Sequence, residues 1–134
     1  MHASTHAELL LHCGTLTSKV AVTREEVVNV ESASGRLWLF LSEEYPRLGA
    51  SPDGFVPCDC CGQGCMEIKC PYCMKDENIR EGKNSCLKKV NGVLKLKTNH
   101  PYFYQVQTQM LVSSMDYCEF IVWTDQDLFG QRIM

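Results

Sequence analysis

No apolar run in this chain approaches the ~20 residues needed to span a bilayer, and no internal repeat or low-complexity tract is visible. Ala7 to Leu11 lacks a basic flank and is shorter than a signal-peptide core, so neither a leader nor a membrane partner is expected. A basic surplus is missing too, since 13 Lys and Arg stand against 16 Asp and Glu, for a formal net charge of −3. That excludes a wholly basic nucleic-acid binder but leaves room for a local basic groove, because placement matters as well as total charge. An evenly spaced secreted disulfide framework is also absent. The nine cysteines are odd in number and crowd between Cys58 and Cys86. Reduced thiols or a thiolate metal site, in a nuclear or cytoplasmic protein, are the expectation. What remains is ordinary: 134 residues, 45% hydrophobic and 22% charged, point to one globular domain.

Taken in order, residues 1–35 carry the weakest pattern. Thr23-Arg-Glu-Glu26 has capping-box spacing and predicts a short helix there. Residues 36–134 form the core unit. Arg36 to Leu41 reads as a buried central strand, and Leu48 to Val56 as a second strand interrupted at Pro52, where an edge or a bulge would re-aim Asp53. Pro57 to Gly64 is a cysteine- and glycine-rich turn, and Cys65 to Cys70 a third strand. Asn91-Gly92 between Leu87–Val90 and Val93–Leu96 predicts a hairpin. A helix is expected from Pro101 to about Ser113 with Asn99 as its cap, then a strand from Tyr117 to Thr124 and the start of a further element. The predicted fold class is α/β of the α+β type, a mixed sheet flanked by helices with an inserted hairpin.

Two stretches concentrate the chemistry. Gly49-Ala-Ser-Pro-Asp-Gly54 presents Asp53, and Met66-Glu-Ile-Lys-Cys70 presents Glu67 and Lys69. Strand alternation puts Cys65, Glu67 and Lys69 on one face, with Met66, Ile68 and Cys70 buried behind them. Two carboxylates and the Ile68 backbone carbonyl supply three oxygen ligands for Mg²⁺ and leave positions for water and phosphate. Lys69 could stabilise a pentavalent phosphate or orient the attacking water. The plain alternative is a Pro-Asp-Gly turn beside a surface Glu–Lys pair. On the helix, Gln105 and Gln109 share a face four residues apart, whereas Gln107 lies about 200° around from Gln105. His100 reads as a helix-start residue, and Tyr102, Phe103 and Tyr104 as base-stacking or core aromatics.

Cys58, Cys60, Cys61, Cys65 and Cys73 offer enough thiolates for structural Zn²⁺, although the spacing is not a paired CxxC knuckle. Buried free thiols are the other reading, and Cys70 and Cys118 are read as core. The hairpin segment is basic, and Lys88, Lys89, Lys95 and Lys97 are either solvated strand residues or phosphate contacts.

LGASPDG, EIKCP, HPYFYQVQTQM and DYCEFIVW follow one another over residues 37–133 in an order that resembles YqaJ-like viral recombinase domains. These are the lambda-exonuclease type of the PD-(D/E)XK nuclease superfamily. A CxCC turn before the Glu-x-Lys strand and a basic hairpin before the glutamine helix resemble its cysteine-bearing animal branch. The resemblance implies a restriction-endonuclease-like core. It also implies Asp53, Glu67 and the Ile68 carbonyl as ligands of Mg²⁺ or Mn²⁺, a catalytic Lys69 and an assisting Gln105. The implied activity is metal-dependent hydrolysis of duplex DNA from its ends, in recombination or repair. Lambda exonuclease encloses DNA as a ring, so a homo-oligomer is within the family's range, but no interface is marked in this sequence. Two departures stand out. The family's N-terminal helix glutamate has only Glu25, Glu26 and Glu31 as positional candidates, and the chain stops where a further helix is expected, as a truncated copy would. The rival readings are a catalytically inactive nucleic-acid-binding module with a zinc clip, and a cysteine-based redox or metal-storage protein. No CxxC opens a helix, which speaks against the last.

Overall fold

A computed structural model describes residues 7–13, 16–22, 39–80 and 86–134. The helix expected from Thr23 and the acidic candidates Glu25, Glu26 and Glu31 lie outside the described residues. Of residues 1–35, two strands are described, β1 (Ala7–Cys13) and β2 (Leu16–Val22), paired as an antiparallel hairpin.

The fold turns on Gly62–Lys69 (β6), which has partners on both sides. Gly54–Cys58 (β5) pairs antiparallel with it through a turn at residues 59–61, and Cys118–Trp123 (β9) pairs parallel on the other side. Leu128–Ile133 (β10) adds antiparallel to β9, so the four-stranded sheet runs β10-β9-β6-β5. Parallel neighbours cannot be joined by a tight turn and need a long crossover. Here it contains a short 3₁₀ turn (Tyr72–Met74), the hairpin β7–β8 (Leu87–Val90 and Val93–Leu96) and helix α1 (Pro101–Ser113). The mixed sheet with its helix matches the predicted fold class, a nuclease-like α/β core.

Several local expectations hold. The hairpin turn has Asn91 and Gly92 both at positive φ, 52° and 80°, the backbone that Asn-Gly accommodates most cheaply. The helix ends at Ser113, with Ser114 in the left-handed region. Its cap, however, is His100 rather than Asn99: the His100 Nδ1 accepts the Tyr102 N–H at 3.2 Å.

Other expectations are corrected. Of the segment read as a buried central strand, Phe40–Leu41 (β3) is strand, paired among the described residues with Gly49–Ala50 (β4), and Leu39 and Leu41 are exposed. Residues 36–38 lie outside the described residues. The single strand expected over Leu48 to Val56 is two, because Ser51–Asp53 leaves the ladder between β4 and β5. Residues 57–64 are mostly strand, shrinking the turn to three residues. The element begun at Asp125 is β10. Cys70, read as core, is exposed, while Cys118 is buried.

The burial of β6 is also reversed. α1 covers the face that carries Cys65 and Glu67, packing Val106 and Met110 into one core with Cys65, Cys118, Phe120 and Val122. Met66 and Ile68, on the other face, are only partly buried against Ile121 and Leu128. An apolar-behind-polar reading fails because the long crossover returns the helix over the polar face. Of the three aromatics at the start of α1, Tyr102 and Phe103 pack against this core and Tyr104 stays exposed.

Two buried contacts lock the sheet on its other side. The fully buried Tyr117 places its hydroxyl 2.7 Å from the Val56 carbonyl and 3.0 Å from that of Gly62, bridging β5 and β6. Its ring lies on Gly64 so closely that a Cβ there would fall 2.1 Å from a ring carbon. Arg132 on β10 stacks over the same ring at 4.2 Å and pairs with the buried Glu119 of β9. Burial pushes the Glu119 carboxyl above its ordinary value, and Arg132 pulls it back.

Gly64→Ala is therefore expected to cost at least the ~1–3 kcal/mol typical of overpacking, read as a lowered urea midpoint. Glu119→Ala leaves the Arg132 guanidinium buried without its partner, at a cost of about 3–5 kcal/mol. A midpoint within error of the parent for either variant would contradict this packing.

Candidate active site

Asp53 is positioned by the break at Pro52. Its N–H donates to the Met66 carbonyl at 3.0 Å, and its Oδ2 accepts the Ile68 N–H at 2.8 Å. The side chain thus takes a ladder bond on the β6 edge beyond the last β5 register pair, Gly54 with Met66. A strand residue's N–H and C=O leave the same edge, so the Ile68 carbonyl emerges on the edge where Asp53 sits.

Glu67 points the other way from Met66, under α1, with its side chain 3% exposed. Three side chains hold it. Lys69 forms an ion pair with Oε1, Gln105 Nε2 donates to Oε1 at 2.8 Å, and Gln109 Nε2 donates to Oε2 at 2.6 Å. Lys69 is fixed in turn by Gln105 Oε1 at 2.8 Å and by the Tyr102 ring at 4.9 Å. The helical repeat explains why Gln105 and Gln109 both reach the carboxylate: four residues bring a side chain back to the same face.

The electrostatics suit a cation. Burial pushes the Glu67 carboxyl above its ordinary value; the Asp53 charge adds to the rise, while hydrogen bonds from Lys69 and Gln109 oppose it. Two carboxylates that repel each other, with a backbone carbonyl alongside, form an all-oxygen donor set that fits Mg²⁺ or Mn²⁺. A carboxylate has about four acceptor positions. The bonds above engage two on Oε1 and one on Oε2, which leaves Oε2 able to face a metal.

Beside this network lies a cavity of about 360 Å³. Gly49, Ala50 and Ser51 line one wall, and Gln105, Thr108 and Gln109 the other. The loop that re-aims Asp53 and the helix that holds Glu67 therefore share an open cleft.

Asp53, Glu67, Ile68, Lys69 and Gln105 thus come together. Gln109 has a larger role than the sequence alone marks: it is 1% exposed and clamps the second Glu67 oxygen. Its spacing from Gln105 is the available signal. Tyr102 is the platform under Lys69, a role for which no local signal exists.

The cysteine set divides. The sulfurs of Cys58, Cys60 and Cys61 lie within 4.8 Å of one another. Cys65 is not with them: it is fully buried, and its thiol donates to the Tyr117 carbonyl at 3.6 Å. Cys73 sits on the 3₁₀ turn and is not part of the group either. Cys61 is disulfide-bonded. On the β7–β8 hairpin, Lys88 stands directly opposite Lys95, and both are exposed. Among the described residues no helix is long and apolar enough to cross a membrane.

Neither a curated protein nor a solved structure matches the chain. The profile of the YqaJ-like viral recombinase domain matches residues 18–116, most of the chain. Its span stops short of β9 but takes in Asp53 and the three side chains that bond Glu67, those of Lys69, Gln105 and Gln109. The chain belongs to the YqaJ-like viral recombinase domain family, and with it comes a nuclease-type function with DNA as substrate.

Proposed function

We propose that the protein is a divalent-metal-dependent deoxyribonuclease of the exonuclease type, working on duplex DNA ends in recombination or repair, in the nucleus or cytoplasm. The observation that carries this reading is the convergence of Lys69, Gln105 and Gln109 on the buried Glu67, next to Asp53.

Asp53, Glu67 and the Ile68 carbonyl would hold a Mg²⁺ or Mn²⁺ ion, whose contribution there would be to polarise a phosphoryl oxygen and lower the pKa of a water. The chain's own groups do the rest. Lys69 presents an ammonium on the Glu67 face, where it offsets the negative charge that develops as the phosphate takes a fifth oxygen. Gln105 bonds both Lys69 and Glu67, so it fixes the distance between the cation and the carboxylate. Gln109 holds Oε2 and keeps the Glu67 carboxylate from turning. The cleft along Ser51 and Thr108 receives the strand.

Lys88 and Lys95 support a nucleic-acid partner. Like charges directly opposite on paired strands destabilise a hairpin, and a phosphate between them removes the repulsion. Such contacts position the backbone without reading sequence. Lys89 and Lys97 lie on the same hairpin segment and extend its charge.

Linear and closed-circular duplex DNA, each with Mg²⁺ or EDTA, test the reading. Linear DNA is expected to be degraded only with Mg²⁺, and Glu67→Gln and Lys69→Ala to abolish the activity. Gln109→Ala is expected to lower it about 10–100-fold, the usual effect of removing a group that orients a metal ligand. DNA binding with no cleavage by the parent protein would leave an inactive binding module and sink the proposal. Separately, Lys88→Gln with Lys95→Gln is expected to weaken binding equally across sequences and reduce the log–log salt slope by about 2. An unchanged slope would remove the hairpin from the interface.

A further inference from the structure

We propose that, when its cysteines are reduced, the β5–β6 turn binds Zn²⁺ through Cys58, Cys60 and Cys61, on a site separate from the Glu67 network. Cys58 ends β5, and Cys60 and Cys61 belong to the three-residue turn that Gly62 closes at φ 76°. So short a loop holds its thiols close with little left to order.

The spacing matches the metal. Zinc–thiolate bonds of ~2.3 Å at tetrahedral angles put sulfurs about 3.8 Å apart. Cys58 and Cys60 sulfurs are 3.5 Å apart, and those of Cys60 and Cys61 3.6 Å. A second observation comes from another strand. Arg132 Nη1 lies 3.9 Å from the Cys58 sulfur and 3.8 Å from that of Cys61. Three thiolates on one Zn²⁺ carry a net charge of −1, and the guanidinium offsets it while donating to the sulfurs. Arg132 is held there by Glu119 and the Tyr117 ring. It acts as the outer partner that orients such ligands, and the fourth position falls to solvent or to a ligand beyond these three.

The disulfide at Cys61 sets the condition. A dithiol reductant supplies two electrons, is itself oxidised to a disulfide, and returns Cys61 and its partner as thiols. Zn²⁺ then displaces one proton from each of the three cysteines. With Cys61 oxidised only two thiols remain, too few for a structural site.

The site would serve register. Asp53 directly precedes the far end of β5 and Glu67 lies near the far end of β6, and a one-residue slip between strands turns every side chain to the wrong face. A clip across the turn pins that pairing.

The test uses the full chain, treated with dithiothreitol, freed of metal and loaded with Zn²⁺ or Co²⁺ alone. One tightly held zinc per chain, competing with a chromophoric chelator, is expected, and the Co²⁺ form should show thiolate-to-cobalt charge-transfer absorption. Cys60→Ser, at an exposed position, should lower zinc affinity at least tenfold and weaken that band. Cys73→Ser should leave both unchanged. Asp53→Asn with Glu67→Gln should also leave them unchanged, which separates this site from the nuclease centre. Loss of reduced-state binding on treatment with a disulfide-forming oxidant is expected as well. The proposal falls if no charge-transfer band appears, or if Cys60→Ser binds zinc as the parent does. It also falls if the Asp53 and Glu67 substitutions remove the metal.

Discussion

A single buried carboxylate organises the candidate site. Glu67 sits under α1 at a place where a lone charge would be costly to desolvate. What makes it tolerable is Lys69 two residues along the strand, with Gln105 and Gln109 from the helix above. Each group reaches it for a separate geometric reason. Strand alternation brings Lys69 to the same face, and the helical repeat brings both glutamines. The parallel pairing of β6 with β9 forces the long crossover that lays the helix over that face. Remove Glu67 and the other three lose their common partner.

The other side of the sheet uses the same device for a different end. Glu119 and Arg132 pair beneath the surface, with Tyr117 stacked against the guanidinium and hydrogen-bonded across β5 and β6. Gly64 exists there because the tyrosine ring leaves no space for a side chain. One face of the hairpin thus presents the Glu67 network, and the other a buried ion pair between Glu119 and Arg132. The three clustered cysteines lie at the turn between these strands, within reach of Arg132. The network that secures the sheet is therefore in contact with the proposed zinc clip.

Asp53 shows how a local backbone fault becomes functional. Pro52 cannot donate to a ladder, and the strand breaks into β4 and β5 around it. Asp53 then replaces a missing strand partner by accepting the Ile68 N–H with its own side chain. A carboxylate is thereby fixed on the edge where the Ile68 carbonyl emerges. The cleft between Ser51 and Thr108 follows from the same break.

Much of this was legible in the residues themselves. Asn91-Gly92, the Pro101 helix and the strand after it are local signals, written in turn chemistry, capping and periodicity. Alternation alone put Glu67 and Lys69 on one face, and the order of motifs carried the family. What the chain could not disclose are the contacts made over long separations. Which face of β6 is buried depends on where the crossover helix lands, and it lands on the side of Cys65 and Glu67, not on that of Met66 and Ile68. Phe40 and Leu41 have strand composition, yet among the described residues they pair with the two-residue strand Gly49–Ala50 and not with the central sheet. The choice of Gln109 as a clamp, Tyr102 as a platform and three of five cysteines as one group belongs to tertiary structure. Those distances are set by packing between elements, which local pattern does not encode.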